Sequence, residues 1–392
     1  MGFREGEKSL FQKGLLPFPE SLFLLLSTFR VSMRIAVWNT AFLGDSVLTL
    51  PLIRVLKAAY PDAEIDFYVR GGLASLYEAQ PEIARVFNCD KRGKEKGLGA
   101  MLRQGREIRE RRYDIWVDAH LSLRSSYMAW ASGAKVRVGY SEAVLSALVF
   151  TKRVSRRFTE LEEIERLLEL AKALGVPQEL LTDKDICWPE LRLPQSAHED
   201  AAALMACLPE GPTIGLHPGS VWPTKRWTPE GFAAILRRAL DSGVNAVLLA
   251  GPGELETAAE VRRLAGLGCE DGNCAEPENF LDLSGRTSLA TLGAVLARLD
   301  GYVTNDSGPM HMAWAQRTPV TAMFGPTVRA LGFFPRGESS TVLEVDEPCR
   351  PCGLHGHKAC PQGHFRCMKN IDAETVWRDI ERKLPGRKES HV

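Results

Sequence analysis

Short apolar runs alternate with loops and helical stretches along this chain, and the pattern runs twice. The runs at residues 35–38, 65–69, 114–118 and 136–139 are mainly apolar and too short for helices. Such segments suit strands buried on both sides of a parallel sheet. A helical stretch is expected over residues 47–56, ending at Tyr60 and Pro61. After a Pro-punctuated stretch the pattern restarts with strands expected at 213–216, 246–250, 280–283, 301–304 and 320–324, and helices near 229–240 and 289–299. Strands alternating with helices give a parallel sheet covered on both faces. The expected fold is therefore α/β, with two Rossmann-like halves facing a central cleft. Ligands in such folds bind at the carboxyl ends of the strands.

The boundaries follow from the same pattern. Residues 33–185 form the first half, 186–211 a linker, 212–370 the second half, and 371–392 a closing helix and tail that returns toward the first half. Residues 22–26 are apolar but too short to span a bilayer. Met33 opens the first strand pattern, so residues 1–32 read as an extension ahead of the true start. The balance of 49 basic and 49 acidic residues gives no global case for nucleic-acid binding. Locally, residues 91–157 hold 16 Lys and Arg against 6 Asp and Glu. Lys91, Arg92, Lys94, Lys96, Arg103, Arg106, Arg109, Arg111 and Arg112 lead that region. Lys152, Arg153, Arg156 and Arg157 close it. Such a region is either a solvated surface with internal ion pairs or a face for an anionic membrane or a phosphorylated acceptor.

Four loops follow strands and face the expected cleft. In the first, Gly44 permits close approach of backbone to ligand. Asp45 at the helix start is either an N-cap or a carboxylate that takes a proton from an incoming hydroxyl. The second runs from His217 to Glu230 and carries Ser220, Thr224 and the adjacent cations Lys225 and Arg226 between Trp222 and Trp227. It is either a packed surface loop or a diphosphate holder that stabilises leaving charge. The third, Asn305 to His311, opens a helix whose N-terminus attracts phosphate. Asp306, Ser307 and Gly308 belong to it, and His311 is either a phosphate contact or a satisfied core histidine. The fourth, Gly251-Pro252-Gly253-Glu254, is a G-x-G turn. It lacks the dinucleotide fingerprint, which argues against a nicotinamide dehydrogenase.

Together these segments resemble glycosyltransferase family 9, the ADP-heptose:lipopolysaccharide heptosyltransferases. The resemblance rests on Leu43-Gly44-Asp45, the run from His217 to Trp227, the run from Thr304 to His311, Phe324-Gly325-Pro326-Thr327 and the cysteine-rich tail, and it covers residues 33–385. It implies the GT-B fold, with acceptor on the first half and nucleotide sugar on the second. It implies inverting transfer of heptose from ADP-heptose to the lipopolysaccharide inner core, at the cytoplasmic face of the inner membrane. In that pattern Asp45 matches the general base and Lys225 the group that stabilises the leaving diphosphate. Asp306, Ser307, Gly308 and His311 match the donor loop. Ser220 and Thr224 match polar donor-side positions, and Glu254 the acid that holds the adenosine ribose. The resemblance implies no bound catalytic metal, no cofactor and no nucleic-acid partner. Competing readings are a related GT-B enzyme using another nucleotide sugar, or a binding protein of the same fold without turnover.

Of nine cysteines, Cys349, Cys352, Cys360 and Cys367 fall within 19 residues, together with His355, His357 and His364. The content suits a structural zinc, reduced thiols in a compact loop, or a redox-labile pair. The other five, Cys89, Cys187, Cys207, Cys269 and Cys274, are scattered, as expected of a reducing compartment.

Overall fold

A computed structural model describes residues 32–90, 93, 96–267 and 276–386. Expectations for residues 1–31, for Lys91, Arg92 and Lys94, and for Cys269 and Cys274 concern residues outside that set. The first half contains β1 (Arg34–Asn39), β2 (Glu64–Arg70), β3 (Arg85–Cys89), β4 (Ile115–Asp118), β5 (Val136–Tyr140) and β6 (Lys152–Val154). The second contains β7 (Thr213–His217), β8 (Asn245–Leu248), β9 (Phe280–Asp282), β10 (Gly301–Asn305), β11 (Val320–Met323) and β12 (Ser340–Leu343).

The strands order as β3-β2-β1-β4-β5-β6 and β12-β11-β10-β7-β8-β9, and all the pairings are parallel. Read from opposite edges, the two sheets have one topology. In each, the chain moves outward from its first strand, then returns to the other side of it. The reversal falls between β1 and β4 in one half and between β7 and β10 in the other. At such a switch point the flanking loops diverge and leave a crevice.

Beyond Arg34 the central strands β1, β7 and β10 are buried, as apolar residues on both faces require. Helices Leu98–Glu110 and Leu123–Ser132 cover one face of the first sheet, where Trp38, Tyr68 and Trp116 pack together. A separate apolar layer continues from the first sheet through Leu191, Leu193 and Ala197 to Met310, Trp314 and Val320. The two halves thus share packing on one side and leave the carboxyl ends of their strands open.

Three expectations are corrected. The helix expected over 47–56 is two helices, Leu43–Leu48 and Leu50–Ala59, meeting at Thr49. Pro51 has no N–H to donate backward, so the helix restarts there. Residues 195–205, read as linker, form a helix packed against Leu289–Leu296. The closing helix, Ala373–Lys383, packs on the second sheet. Its Asp379 accepts from Thr321 and Thr341, and Val376, Trp377 and Ile380 join that sheet's core.

Candidate active site

The loops after β1, β7 and β10 converge on one cavity of about 660 Å³. Asp45 lines it from the first half, and Ser220, Lys225, Glu254, Asp306, Ser307, Gly308 and His311 line it from the second. Of the site residues expected from sequence, Thr224 alone does not line it. Its hydroxyl accepts from the His357 N–H at 2.7 Å and turns toward the cysteine-rich tail.

Asp45 sits in the first turn of Leu43–Leu48, three residues past the N-cap Phe42. Its carboxylate accepts the Phe42 backbone N–H at 3.1 Å. Asp45 is thus not itself the cap, and its remaining acceptor capacity faces the cavity. Burial, reinforced by the nearby Glu163 carboxylate, pushes its pKa up to about 6. A carboxylate near that value is a better proton acceptor than an exposed one and is still ionised at neutral pH.

Two glycines let the halves meet here. A Cβ on Gly44 would lie 2.6 Å from the His311 ring, and one on Gly308 would lie 2.9 Å from Leu43. The helices Leu43–Leu48 and Gly308–Ala315 therefore abut at their N-terminal turns. Ser307, the N-cap of the second, makes no side-chain capping bond, and with Gly308 and Pro309, which has no N–H, it lines the cavity. Burial holds the His311 imidazole down at about 4, so it is neutral at physiological pH. Its buried Nδ1 has no hydrogen-bond partner among the described residues.

Across the cavity, Lys225 Nζ lies 2.6 Å from Asp306 Oδ2, and Thr327 Oγ1 donates to the same oxygen at 2.6 Å. The ammonium is thereby aimed and only slightly exposed. Asn305, fully buried, fixes the loop that carries it. Its Oδ1 accepts from the Trp227 N–H at 2.8 Å, and its Nδ2 donates to the carbonyls of Pro218 and Gly219. Glu254 accepts from His217 Nε2 at 2.9 Å and from the Gly251 N–H at 2.8 Å. Burial alone would raise its carboxyl, but the His217 contact and the Gly251 N–H hold it at about 2. A Cβ on Gly219 would strike that carboxylate at 2.1 Å.

The cysteine-rich segment is a strap over this site. Arg350 bonds the carbonyls of Phe324 and Thr327, the Cys352 N–H donates to Pro326, and His357 is tied to Thr224. Between those anchors Leu354 and His355 enter the cleft. His355 stacks on Trp222 at 6.2 Å and meets the edge of Phe42 at 6.0 Å. Glu347, Cys349 and His364 bring one possible ligand atom each within 4.8 Å of one another. Glu347 is also paired with Arg366 at 3.3 Å.

A second cavity of about 480 Å³ adjoins the first, and Asp45 and His355 line both. It lies mostly on the first half, with Arg70, His120, Arg156 and Glu163 in its wall and His355 reaching in from the second. Arg156, read in the sequence as part of a basic face, is turned inward and bonds Glu163 at 2.9 Å. Sequence reasoning did not single out Thr327, Asn305, His217 or His355 as site residues. Thr327 stood in a quoted motif, and His217 opened another. His355 lay in a segment whose thiols drew attention to metal content.

A family model described as glycosyltransferase family 9 (heptosyltransferase) matches residues 101–362. Lipopolysaccharide heptosyltransferase 2 of Escherichia coli K12 is 28% identical over 303 residues, which cover 75% of this chain and 83% of that protein. The crystal structure of a family 9 glycosyl transferase from Veillonella parvula superposes with a TM-score of 0.77 at 24% identity, covering 90% of this chain and 97% of that one. An Escherichia coli heptosyltransferase solved with ADP superposes at 0.65 and 22% identity, covering 90% of this chain and 100% of that one.

Proposed function

Since the chain belongs to glycosyltransferase family 9, we propose that it transfers heptose with inversion from ADP-heptose to the inner core of a lipopolysaccharide precursor. One observation carries the reading: Asp45 from the first half and the Lys225–Asp306 pair from the second line the same cavity. The donor occupies the larger cavity, on the half comprising residues 212–370. The acceptor sugar enters from the second cavity, on residues 33–185.

In the proposed step the acceptor hydroxyl attacks the anomeric carbon as the bond to the diphosphate oxygen breaks. Asp45, at the junction of the cavities, takes the hydroxyl proton as the new C–O bond forms. The diphosphate leaves toward Lys225 and the N-terminal turn of Gly308–Ala315, where the ammonium and the positive end of the helix dipole meet it. Neutral His311 offers a hydrogen bond there rather than a second charge. Glu254, ionised and oriented by His217, accepts from ribose hydroxyls. Ser220 and Ser307 are polar contacts of the donor. Asp306 orients Lys225 and holds it until the diphosphate arrives. Support for the heptosyl donor and lipopolysaccharide acceptor comes from the names of the similar proteins, one of which was solved with ADP. Work at the cytoplasmic face of the inner membrane, as a peripheral protein, fits the same reading.

The test is ligand-induced thermal stabilisation with ADP, UDP, GDP and CDP, followed by transfer from ADP-heptose to a purified acceptor. Preferential stabilisation by ADP with product formation is expected. Preference for another base would reassign the donor, and stabilisation without turnover would leave a binding protein.

A further inference from the structure

Eleven large apolar side chains are exposed among the described residues, and seven of them lie on one outer layer of the first half. Leu98 and Leu102 are on the Leu98–Glu110 helix, and Leu123 and Trp130 on Leu123–Ser132. Val144, Leu145 and Leu148 are at the short helix Ser146–Val149. These helices pack side by side against one face of the sheet. Leu98, Leu123 and Leu148 are 66%, 57% and 79% exposed, and Trp130 is 61% exposed. Scattered exposed leucines need no explanation, but this concentration does.

Position and charge say what covers it. Each of these helices follows a strand, so its first turn lies at the carboxyl edge of the sheet. Leu98, Leu102, Leu123, Val144, Leu145 and Leu148 all fall at or near such first turns. That edge is the one on which the second cavity opens, and His120 and Leu121 in its wall lie three and two residues before Leu123. Behind the apolar rim, residues 98–112 carry five arginines against two glutamates, Glu107 and Glu110. Arg103, Arg106, Arg109 and Arg112 are exposed. No described helix is long and apolar enough to cross a bilayer. A rim of leucine and valine backed by arginine matches the headgroup region of an anionic lipid surface, where apolar tips insert and cations meet phosphates.

We propose that this layer seats the protein on an anionic bilayer, with the mouth of the second cavity facing the lipid. The proposal deepens the transfer reading and rests on it for the purpose of docking: a lipid-linked acceptor then presents its sugar to Asp45 without leaving the membrane.

The test is flotation of the full chain with phosphatidylcholine vesicles, with and without phosphatidylglycerol. Wild-type protein should float with the anionic vesicles and much less with neutral ones. A cation near an anionic surface strengthens partitioning about fivefold, so Arg103→Glu with Arg106→Glu should weaken it about 25-fold or more. Leu98→Ser with Leu148→Ser should abolish the part of binding that survives high salt. Both pairs are surface changes and should leave transfer to a water-soluble, delipidated acceptor at the wild-type rate. Wild-type protein that does not float with anionic vesicles, or variants that float as it does, would overturn the proposal. So would a self-associated chain that the Leu→Ser pair makes monomeric while lipid binding stays unchanged, since that assigns the layer to a second copy. Loss of transfer by the wild type with lipid binding intact would instead refute the functional reading alone.

Discussion

At the residue scale, the site holds its charge on Asp45 from one half and Lys225 from the other. Asp45 is a partly buried carboxylate whose pKa of about 6 lies above its ordinary value of 3.8. A raised carboxyl means that the folded protein binds the proton more tightly than the unfolded chain. Ionised Asp45 therefore costs stability above pH about 6, and the cost vanishes below pH about 4, where both states are protonated. Asp45→Asn should accordingly melt higher than wild type at pH 8, by an amount of order 2 kcal/mol. The two should converge in acid, as scanning calorimetry across pH would read. A base must be unprotonated, so the wild-type kcat/KM should rise tenfold per unit below pH about 6 and level off above it. Lys225 is the complementary case. Lys225→Ala should lower kcat/KM for the nucleotide sugar about 100-fold or more. The melting temperature should fall by only a few degrees, because Thr327 still bonds Asp306. Steady-state kinetics beside a melt distinguish this from a purely structural role, in which both would fall together. The types of these residues were legible in the sequence. Their partners were not, because the Thr327 and Asn305 contacts depend on chain segments 21 and 78 residues apart meeting in space.

At the element scale the abutting N-terminal turns of Leu43–Leu48 and Gly308–Ala315 are the structural centre. Gly44 is required there by proximity rather than by backbone dihedral, since its added Cβ would overlap His311. Gly44→Ala should therefore push the two turns apart and lower kcat at least about tenfold, the scale of loss expected from sub-ångström misplacement of reacting groups. ADP binding on the second half should change far less, and calorimetric titration beside turnover would show the split. The elements also show what sequence patterns carry. Every central strand has an apolar run, and each was expected close to where it lies. Three strands were not expected, β3, β6 and β12, and all three are sheet edges. Edge strands are partly exposed and short, so Arg85, Asn88, Lys152, Arg153 and Ser340 interrupt the signal that burial imposes on the centre. The closing helix was expected to return to the first half. Its anchor, Asp379 with Thr321, Thr341 and Lys383, is polar and therefore invisible to hydrophobic periodicity.

At the scale of the whole molecule, two copies of one topology place their switch points opposite each other. Asp45 reaches the shared cavity from the first half, while Lys225 reaches it from the second together with two further acids, Asp306 and Glu254. The tail then straps the second half's loops together and sets His355 between the cavities, a position that its thiol content did not suggest. Under the proposed reading donor binding and proton removal are separable, since Asp45 and the donor-side residues sit on different halves. The measurement that tests this most directly is Asp45→Asn assayed twice, once for heptose transfer and once for ADP affinity by titration calorimetry. Transfer should fall by about 1000-fold or more, at the upper part of the range for loss of a general base, while the ADP dissociation constant stays within about twofold of wild type. Turnover close to wild type in Asp45→Asn would contradict the account, because the carboxylate at the junction of the cavities would then not be the base.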